Sequence, residues 1–196
     1  MPQKLNPKQN FFFGLLGFII RFGHQIPVFF NHMIIKEIIG RRSIRSFKPD
    51  PVPDEAITEI IKAAEFAPSA KHIRPIEYII VKDQKTKDKL FEVLTQDFIK
   101  EAPVLIVPIS DTRKSAFSLQ DLSIASGYMF LQAYALELGT VWRYVYEENA
   151  EKIKAILGIP AHYTLFNVIP VGYPAKNLAP HADNEFEPGK IHQEKF

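Results

Sequence analysis

The chain has 196 residues, a formal net charge of +2, no cysteine and 9 glycines. This length fits one domain with at most a short appendage. The absence of cysteine excludes disulfides, thiolate zinc sites, iron–sulfur clusters and a cysteine nucleophile. Hydrophobic residues make up 46% of the chain and charged residues 23%, a balance typical of a folded globular protein.

The N-terminal segment differs in composition from the sequence that follows it. Residues 1–33 carry a charge of +3 and 7 of the 16 phenylalanines, whereas residues 34–196 carry a charge of −1. The basic excess therefore belongs to the N-terminus and does not indicate a nucleic-acid-binding domain. The uninterrupted apolar run in this segment, Phe11–Ile20, is too short to span a bilayer as a helix.

Three interpretations of this segment stay open. Lys4 and Lys8 before the apolar run are typical of the start of a signal peptide, but no cleavage site of the A-x-A type follows. The segment is then an interfacial membrane anchor, an arm that packs on a partner subunit, or translated sequence upstream of a usual start at Met33. We predict an extension over residues 1–32 and one domain over residues 33–196.

From residue 34 onwards, helical and strand patterns alternate. The predicted elements are a short helix over 34–40, a helix over 54–66 with Asp54 as its N-cap, a strand over 77–81, a helix over 83–94, a strand over 104–109, a helix over 118–138, a strand over 141–146, a helix over 149–157 and a strand over 165–171. The helix over 118–138 has too few polar positions for a surface helix, so we expect it in the core or at an interface. This alternation favours an α/β or α+β sandwich around one sheet.

Sequence motifs of several enzyme classes are missing. The chain contains no G-x-G-x-x-G turn, no P-loop and no G-x-S-x-G elbow. Its six histidines show no H-x-x-x-H spacing suited to a metal. Hydrolase and metalloenzyme interpretations therefore lose their main support.

A compact cluster of cations follows the first predicted helix. Arg41, Arg42, Ser43 and Arg45 place three guanidinium groups and one hydroxyl within five residues, and we call the segment 41–45 the clamp. Arginine makes planar bidentate contacts to phosphate, and serine adds a neutral hydrogen bond. On these residues alone, the clamp is either an anion-binding turn or a solvated basic turn.

The clamp opens a series of short motifs. In chain order they are R-R-S-x-R-x-F over 41–47, A-P-S-A over 67–70, E-Y-I-I-V over 77–81, K-E-A-P-V-L-I-V over 100–107, L-Q-D over 119–121, L-G-T-V-W over 138–142, L-G-I-P over 157–160, I-P-V-G-Y-P over 169–174 and K-I-H-Q-E-K-F over 190–196. Together they resemble the FMN-dependent nitroreductase family over residues 33–196. Residues 1–32 have no counterpart in that pattern.

The resemblance implies an α+β, nitroreductase-like fold with a central mixed β-sheet, flanking helices and a long apolar helix at the core of a homodimer. It also implies two FMN sites at the subunit interface. Arg41 and Ser43 would contact the phosphate and ribityl chain, with Arg42 alongside. Arg45 would lie toward the N1/O2 edge of the flavin, where a cation stabilises the reduced ring.

Residues further along the chain would complete the implied site. Pro68, Ser69 and Ala70 would come from the partner subunit and pack near the edges of the flavin ring. Tyr144 and Val145 would present backbone N–H groups to flavin N5 and O4.

The sequence departs from the family pattern at two places. The first is the segment 68–76, where the family reads P-S-x-x-N-x-Q-P-W. Here His72 replaces the flavin-contacting Asn, Arg74 replaces the Gln and Ile76 replaces the Trp. His72 can still donate a hydrogen bond. Where the family carries basic residues near its C-terminus, this chain has Asp183-Asn184-Glu185, of the opposite sign. Two lysines could substitute as phosphate ligands: Lys176 and Lys190.

The implied activity is oxidoreduction through FMN. NADH or NADPH would reduce FMN and leave, and a nitroaromatic, quinone or similar flat acceptor would then take the electrons in a ping-pong cycle, so no catalytic side chain and no metal are expected. We expect a cytoplasmic homodimer without a nucleic-acid or membrane partner. The alternatives are a flavin-binding module with altered or lost turnover, a membrane-associated protein built around residues 11–30, and an anion- or nucleic-acid-binding protein built on the clamp.

Overall fold

The computed structural model describes residues 34–196. Every element below belongs to one compact unit, residues 36–196. The extension predicted over residues 1–32, with its three interpretations, lies outside the described residues and stays a prediction.

The described part contains six α-helices and six β-strands. The helices are α1 (Lys36–Gly40), α2 (Asp54–Glu65), α3 (Gln84–Leu94), α4 (Phe98–Glu101), α5 (Ser118–Ala135) and α6 (Glu147–Leu157). The strands are β1 (Ile76–Val81), β2 (Val104–Asp111), β3 (Gly139–Thr140), β4 (Arg143–Tyr144), β5 (Tyr163–Thr164) and β6 (Asn167–Gly172). Three short 3-10 turns, 70–72, 183–185 and 188–190, complete this part of the chain.

The strands form one sheet in the order β1-β2-β6-β3, with β5 paired to β2 and β4 paired to β6. The pairs between these strands are antiparallel, as where Tyr78 lies opposite Pro108 and Ile106 opposite Ile169. An isolated parallel bridge between Ser43 and Thr140 extends the β3 edge, and it makes the sheet mixed. The predicted α+β class is confirmed.

The sheet separates two apolar layers. Val104 and Ile106 of β2 pack on one side with α2 and α5, while Leu105 and Val107 pack on the other with α3, α4 and α6. All eight residues of β2 are buried because both of its faces are covered. The predicted buried strand at this position is confirmed, and the long apolar helix α5 lies on one face of the sheet.

Several predicted boundaries differ from the structure for identifiable reasons. Asp54 is the first residue of α2 rather than its cap, which is Pro53, and the Asp54 carboxylate pairs with Lys82. Helix α5 ends at Ala135 instead of Leu138, because Glu137 turns the chain with a left-handed φ of 60°.

The strand predicted over 141–146 is interrupted. Within that range only β4 is a strand; β3 lies just before it, both pair with β6, and Val141 and Trp142 separate them. The Trp142 ring packs edge-on against Phe130 and Phe166, with ring centroids 5.9 and 4.9 Å apart. This packing directs the indole toward α5, so we attribute the break in the ladder to Trp142.

Candidate functional site

The clamp lies along the β3 edge of the sheet. Ser43 forms the bridge to Thr140, and the Ile44 N–H donates to the Thr140 carbonyl at 2.9 Å. Ile44 is buried, and a Cβ placed on Gly139 would come within 2.6 Å of its Cγ1. The clamp backbone is therefore held close against β3, with Arg41 and Arg42 half-buried and Arg45 exposed.

A second segment, residues 173–181, runs along the other side of the clamp, and we call it the tail. Backbone hydrogen bonds join its first part to the residues after the clamp: the Lys48 N–H donates to the Tyr173 carbonyl at 2.8 Å and the Ala175 N–H to the Ser46 carbonyl at 3.0 Å. Further along, the Arg42 guanidinium donates to the Ala179 carbonyl at 2.9 Å. The tail and the clamp therefore form two facing walls.

A cavity of about 640 Å³ opens between the tail, the clamp, α1 and the C-terminal end of α5. Its lining carries five cationic side chains: Lys36, Arg41, Arg42, Lys48 and Lys176. Among the described residues that line it, Glu137 supplies the one carboxylate. Phe130, Tyr134, Leu138 and Tyr173 add an apolar and aromatic wall. Cations beside an aromatic wall suit an organic phosphate, so the residues present fit FMN.

Two acidic residues, Asp183 and Glu185, follow just after the end of the tail. A hydrogen bond with His181, 2.7 Å from Nδ1 to Oε2, lowers the pKa of the Glu185 carboxyl, and the Ala182 N–H and the Arg42 charge lower it further. Glu185 is therefore ionised at neutral pH and offsets part of the Arg42 charge.

The second group of predicted residues lies in the loop 68–74. The Ala70 N–H donates to Asp121 Oδ1 at 2.9 Å, and the Ser115 hydroxyl donates to Asp121 Oδ2 at 2.8 Å. Asp121 is in the first turn of α5 and is 3% exposed, so this buried carboxylate fixes the loop to the helix. Pro68 and His72 are exposed, and Ser69 and Ala70 are half-buried.

This loop holds an unusual backbone conformation. Lys71, His72 and Arg74 have left-handed φ values of 52°, 57° and 53°. Such values cost about 1–2 kcal/mol for each non-glycine residue. The Ser69 hydroxyl accepts from the Arg74 N–H at 2.9 Å, and the Arg74 guanidinium pairs with Glu65 at 2.5 Å. Backbone strain of this kind is concentrated at functional sites, which favours a functional role for the loop.

The third predicted group is partly different from expectation. Tyr144 is 45% exposed, and its ring packs edge-on against Tyr146 at 5.0 Å. Val145 is buried, and its N–H donates to the Phe166 carbonyl at 2.8 Å. In this structure the Val145 N–H therefore completes the pairing beside β4, and its role toward a flavin stays a prediction.

The structure brings the clamp and the Tyr144 segment to one edge of the sheet but leaves the loop 68–74 elsewhere. Asp121, which holds the loop, and Tyr134, which lines the cavity, are 13 residues apart on α5, or about 20 Å along a helix. One chain therefore does not assemble all the predicted residues around one ligand.

Sequence reasoning missed two features of the site. Lys48 and Tyr134 line the cavity, but each reads as an ordinary surface or core residue in the sequence. Asp121 belongs to the L-Q-D motif, and its role in holding the loop 68–74 was missed. The signal that could have found it is an acidic residue in the first turn of a largely apolar helix.

Other kinds of site find no support in the described part of the chain. Within residues 34–196, no three His, Cys, Asp or Glu side chains come together as a metal site would require. None of the helices in that range combines the length and apolar character needed to cross a bilayer.

Comparison with known proteins defines the class. The profile of the Nitroreductase family matches residues 38–97 and 91–173. A relative from Methanothermobacter thermautotrophicus, named as an NADH dehydrogenase/NAD(P)H nitroreductase, is 40% identical over 169 residues, covering 83% of this chain and 87% of the relative. A solved structure of an FMN-dependent nitroreductase from Clostridium difficile has a TM-score of 0.79 and 33% identity, covering 83% of this chain and 100% of that one.

A more distant relative extends the comparison to flavin chemistry. An FMN reductase from Bacillus subtilis that is named for NAD(P)H is 28% identical over 168 residues, covering 74% of this chain and 68% of the relative. The α+β sandwich matches the fold of these relatives, and the cationic cavity suits an organic phosphate. This chain belongs to the nitroreductase family, and the resemblance drawn from its motifs is confirmed.

Proposed function

We propose that this protein is a homodimeric, FMN-dependent oxidoreductase that uses NADH or NADPH to reduce flat acceptors such as nitroaromatics or quinones. The oxidoreductase class and the FMN cofactor follow from family membership and from the names of the relatives. The observation that carries the proposal is the cavity lined by Arg41, Arg42 and three lysines beside an aromatic wall.

The clamp residues take distinct roles in this proposal. Arg41 holds the phosphate, because it lines the cavity and is already half-buried, and Arg42 lies alongside with its guanidinium on the Ala179 carbonyl. Ser43 and Arg45 do not line the cavity. In the proposal, Ser43, held at the sheet edge by its bridge to Thr140, contacts the ribityl chain outside the cavity. Arg45 is exposed and has no carboxylate within 4.0 Å among residues 34–196, so its charge is available to the reduced ring.

FMN, when bound, supplies the two-electron redox chemistry that side chains lack. The protein's residues bind it, orient it and shape the space that NAD(P)H and the acceptor occupy in turn. Tyr144 at the exposed end of β4 lies on the same sheet edge as the clamp, where its backbone and ring border that space. The identity of the acceptor is set by this border rather than by a catalytic side chain.

A homodimer explains both the exposed face of α5 and the position of the loop 68–74. Ile124 and Tyr128, one turn apart on α5, are 40% and 41% exposed and share one face of the helix. Such neighbouring apolar side chains on a central helix favour burial against a second copy. In the dimer, Pro68, Ser69, Ala70 and His72 of each chain would face the flavin of the other. A cytoplasmic location remains a prediction.

The test is the colour of the purified full-length protein. We expect a flavin absorption spectrum that bleaches anaerobically on addition of NADH or NADPH. A colourless protein that takes up no added FMN would overturn the proposal. FMN that is retained but never reduced by either nucleotide would instead favour the flavin-binding module.

A variant pair locates the site. Arg41→Ala removes a half-buried cation from the cavity, so its Kd for FMN should rise at least about tenfold, which corresponds to the loss of one charge-assisted hydrogen bond. Lys190→Ala is the control, because Lys190 is exposed and paired with Glu187 at 2.5 Å. Equal FMN affinity in the two variants would show that the clamp does not hold the phosphate.

A further inference from the structure

The cations that line the cavity do not all have a free charge. Lys36 pairs with Glu37 at 3.6 Å, and Arg42 donates to the Ala179 carbonyl and lies near the ionised Glu185. Among residues 34–196, four lining cations have no carboxylate within 4.0 Å: Arg41, Arg42, Lys48 and Lys176. Because the Arg42 guanidinium is bonded to the Ala179 carbonyl, Arg41, Lys48 and Lys176 are the ones left without a partner in this part of the chain. Three unpaired cations around one cavity leave an excess of positive charge that a ligand must balance.

Lys48 and Lys176 are placed on facing segments by backbone hydrogen bonds. The Lys48 N–H donates to the Tyr173 carbonyl, and Ala175, the neighbour of Lys176, donates to the Ser46 carbonyl. An antiparallel bridge between Phe47 and Pro174 lies between these two bonds. The backbone at both lysines is therefore fixed, and their side chains line the same cavity as Arg41.

Lys190, the other lysine that the sequence offers as a phosphate ligand, is placed differently from Lys176. Lys190 is bonded to Glu187 at 2.5 Å and is absent from the cavity lining. A phosphate monoester near neutral pH carries about two negative charges and three acceptor oxygens, more than one guanidinium satisfies.

We propose that Lys48 and Lys176, from the two facing segments, complete with Arg41 the binding site for the phosphate group of the ligand in this cavity. This inference rests on the proposed function, in which that ligand is FMN. The two lysines bind the phosphate and not the ring, so they distinguish FMN from riboflavin, which has the same ring and no phosphate.

The experiment measures the Kd of the full-length apoprotein for FMN and for riboflavin by quenching of flavin fluorescence. Lys48→Ala and Lys176→Ala should each raise the Kd for FMN about three- to tenfold, and the double variant more, while the Kd for riboflavin stays unchanged. Because both lysines are exposed at the cavity rim, the effect should shrink as salt is raised. Lys190→Ala is the matched control and should bind FMN as the wild type does.

Two results would overturn this assignment. The first is a double variant that binds FMN as tightly as the wild type does. The second is a double variant in which the Kd for FMN and the Kd for riboflavin rise equally, since that would indicate damage to the fold. Thermal unfolding of the double variant is compared with that of the wild type to check this. A wild-type apoprotein that binds neither flavin would overturn the proposed function and this inference together, whereas the first two results leave the proposed function standing.

Discussion

Gly40, at the end of α1, has no space for a side chain because Tyr134 of α5 lies over it. A Cβ at Gly40 would lie 2.0 Å from the Tyr134 hydroxyl oxygen and 2.3 Å from its Cζ. Non-bonded heavy atoms pack at about 3.5 Å, so the ring would have to retreat by about 1.5 Å. Because Tyr134 is 37% exposed and borders the cavity, its ring can swing aside, so the displacement costs about 1–2 kcal/mol, the lower part of the overpacking range. The helix preference of alanine over glycine offsets at most about 1 kcal/mol of this cost.

Gly40→Ala should therefore lower the free energy of unfolding by about 1 kcal/mol. In a Tyr134→Ala background the obstruction is gone, and the same substitution should be neutral or stabilising by up to about 1 kcal/mol. Urea unfolding of the two single variants and the double variant measures this change of sign. A Gly40→Ala effect that is equal in the two backgrounds would refute the close approach of α1 to α5.

The same substitution has a consequence for the site. Tyr134 lines the cavity, and Arg41 follows Gly40 directly, so a displaced ring enters the space that the ligand needs. We expect Gly40→Ala to weaken FMN binding as well as to destabilise the fold. Titration of the apoprotein with FMN checks this, and an unchanged Kd would mean that the ring moves away from the cavity.

Three further predictions concern the elements around the site. Gly158 ends α6 with φ of +68° and open space around its Cα, so Gly158→Ala should cost about 1–2 kcal/mol from backbone strain alone, measured by thermal unfolding. Hydrogen bonds from the Thr86 N–H and hydroxyl lower the pKa of Asp83. The wild type should therefore be more stable than Asp83→Ala above about pH 4, and this difference should disappear as the pH falls further. A difference in stability that does not change with pH would contradict this. Asp121→Ala leaves the Ala70 N–H without its acceptor and should destabilise by about 1–3 kcal/mol with faster amide exchange at Ala70, whereas Asp121→Asn keeps an acceptor oxygen there and should restore protection.

Much of the fold could be predicted from local patterns. The apolar run at Val104–Ile109 predicted the buried central strand because only a strand covered on both faces is apolar throughout. The break between β3 and β4 could not be predicted, since it depends on Trp142 packing between Phe130 and Phe166, which are distant in sequence. Periodicity carries no information about such tertiary contacts.

The candidate site, like the fold, could be predicted only in part from the sequence. The clamp could be predicted because its cations are adjacent in the sequence, whereas the cavity depends on hydrogen bonds such as that from Arg42 to Ala179, 137 residues away. The left-handed conformations of Lys71, His72 and Arg74 had no local signal either, because none of the three is a glycine. Only the packing around Asp121 and Glu65 specifies them.

The distance along α5 between the clamp cavity and the loop 68–74 has a genetic consequence. In the proposed dimer, each site takes its clamp from one chain and its loop from the other. A chain with a defective clamp can therefore still supply a normal loop to its partner's site, and a chain with a defective loop can still supply a normal clamp. A chain with Arg41→Ala and a chain with Asp121→Ala, co-expressed in equal amounts, should form mixed dimers in which one site carries both lesions and its twin carries none. With random pairing, about a quarter of all sites would carry neither lesion, so the mixture should bind FMN with wild-type affinity at that fraction of its sites, which the Arg41→Ala parent alone does not.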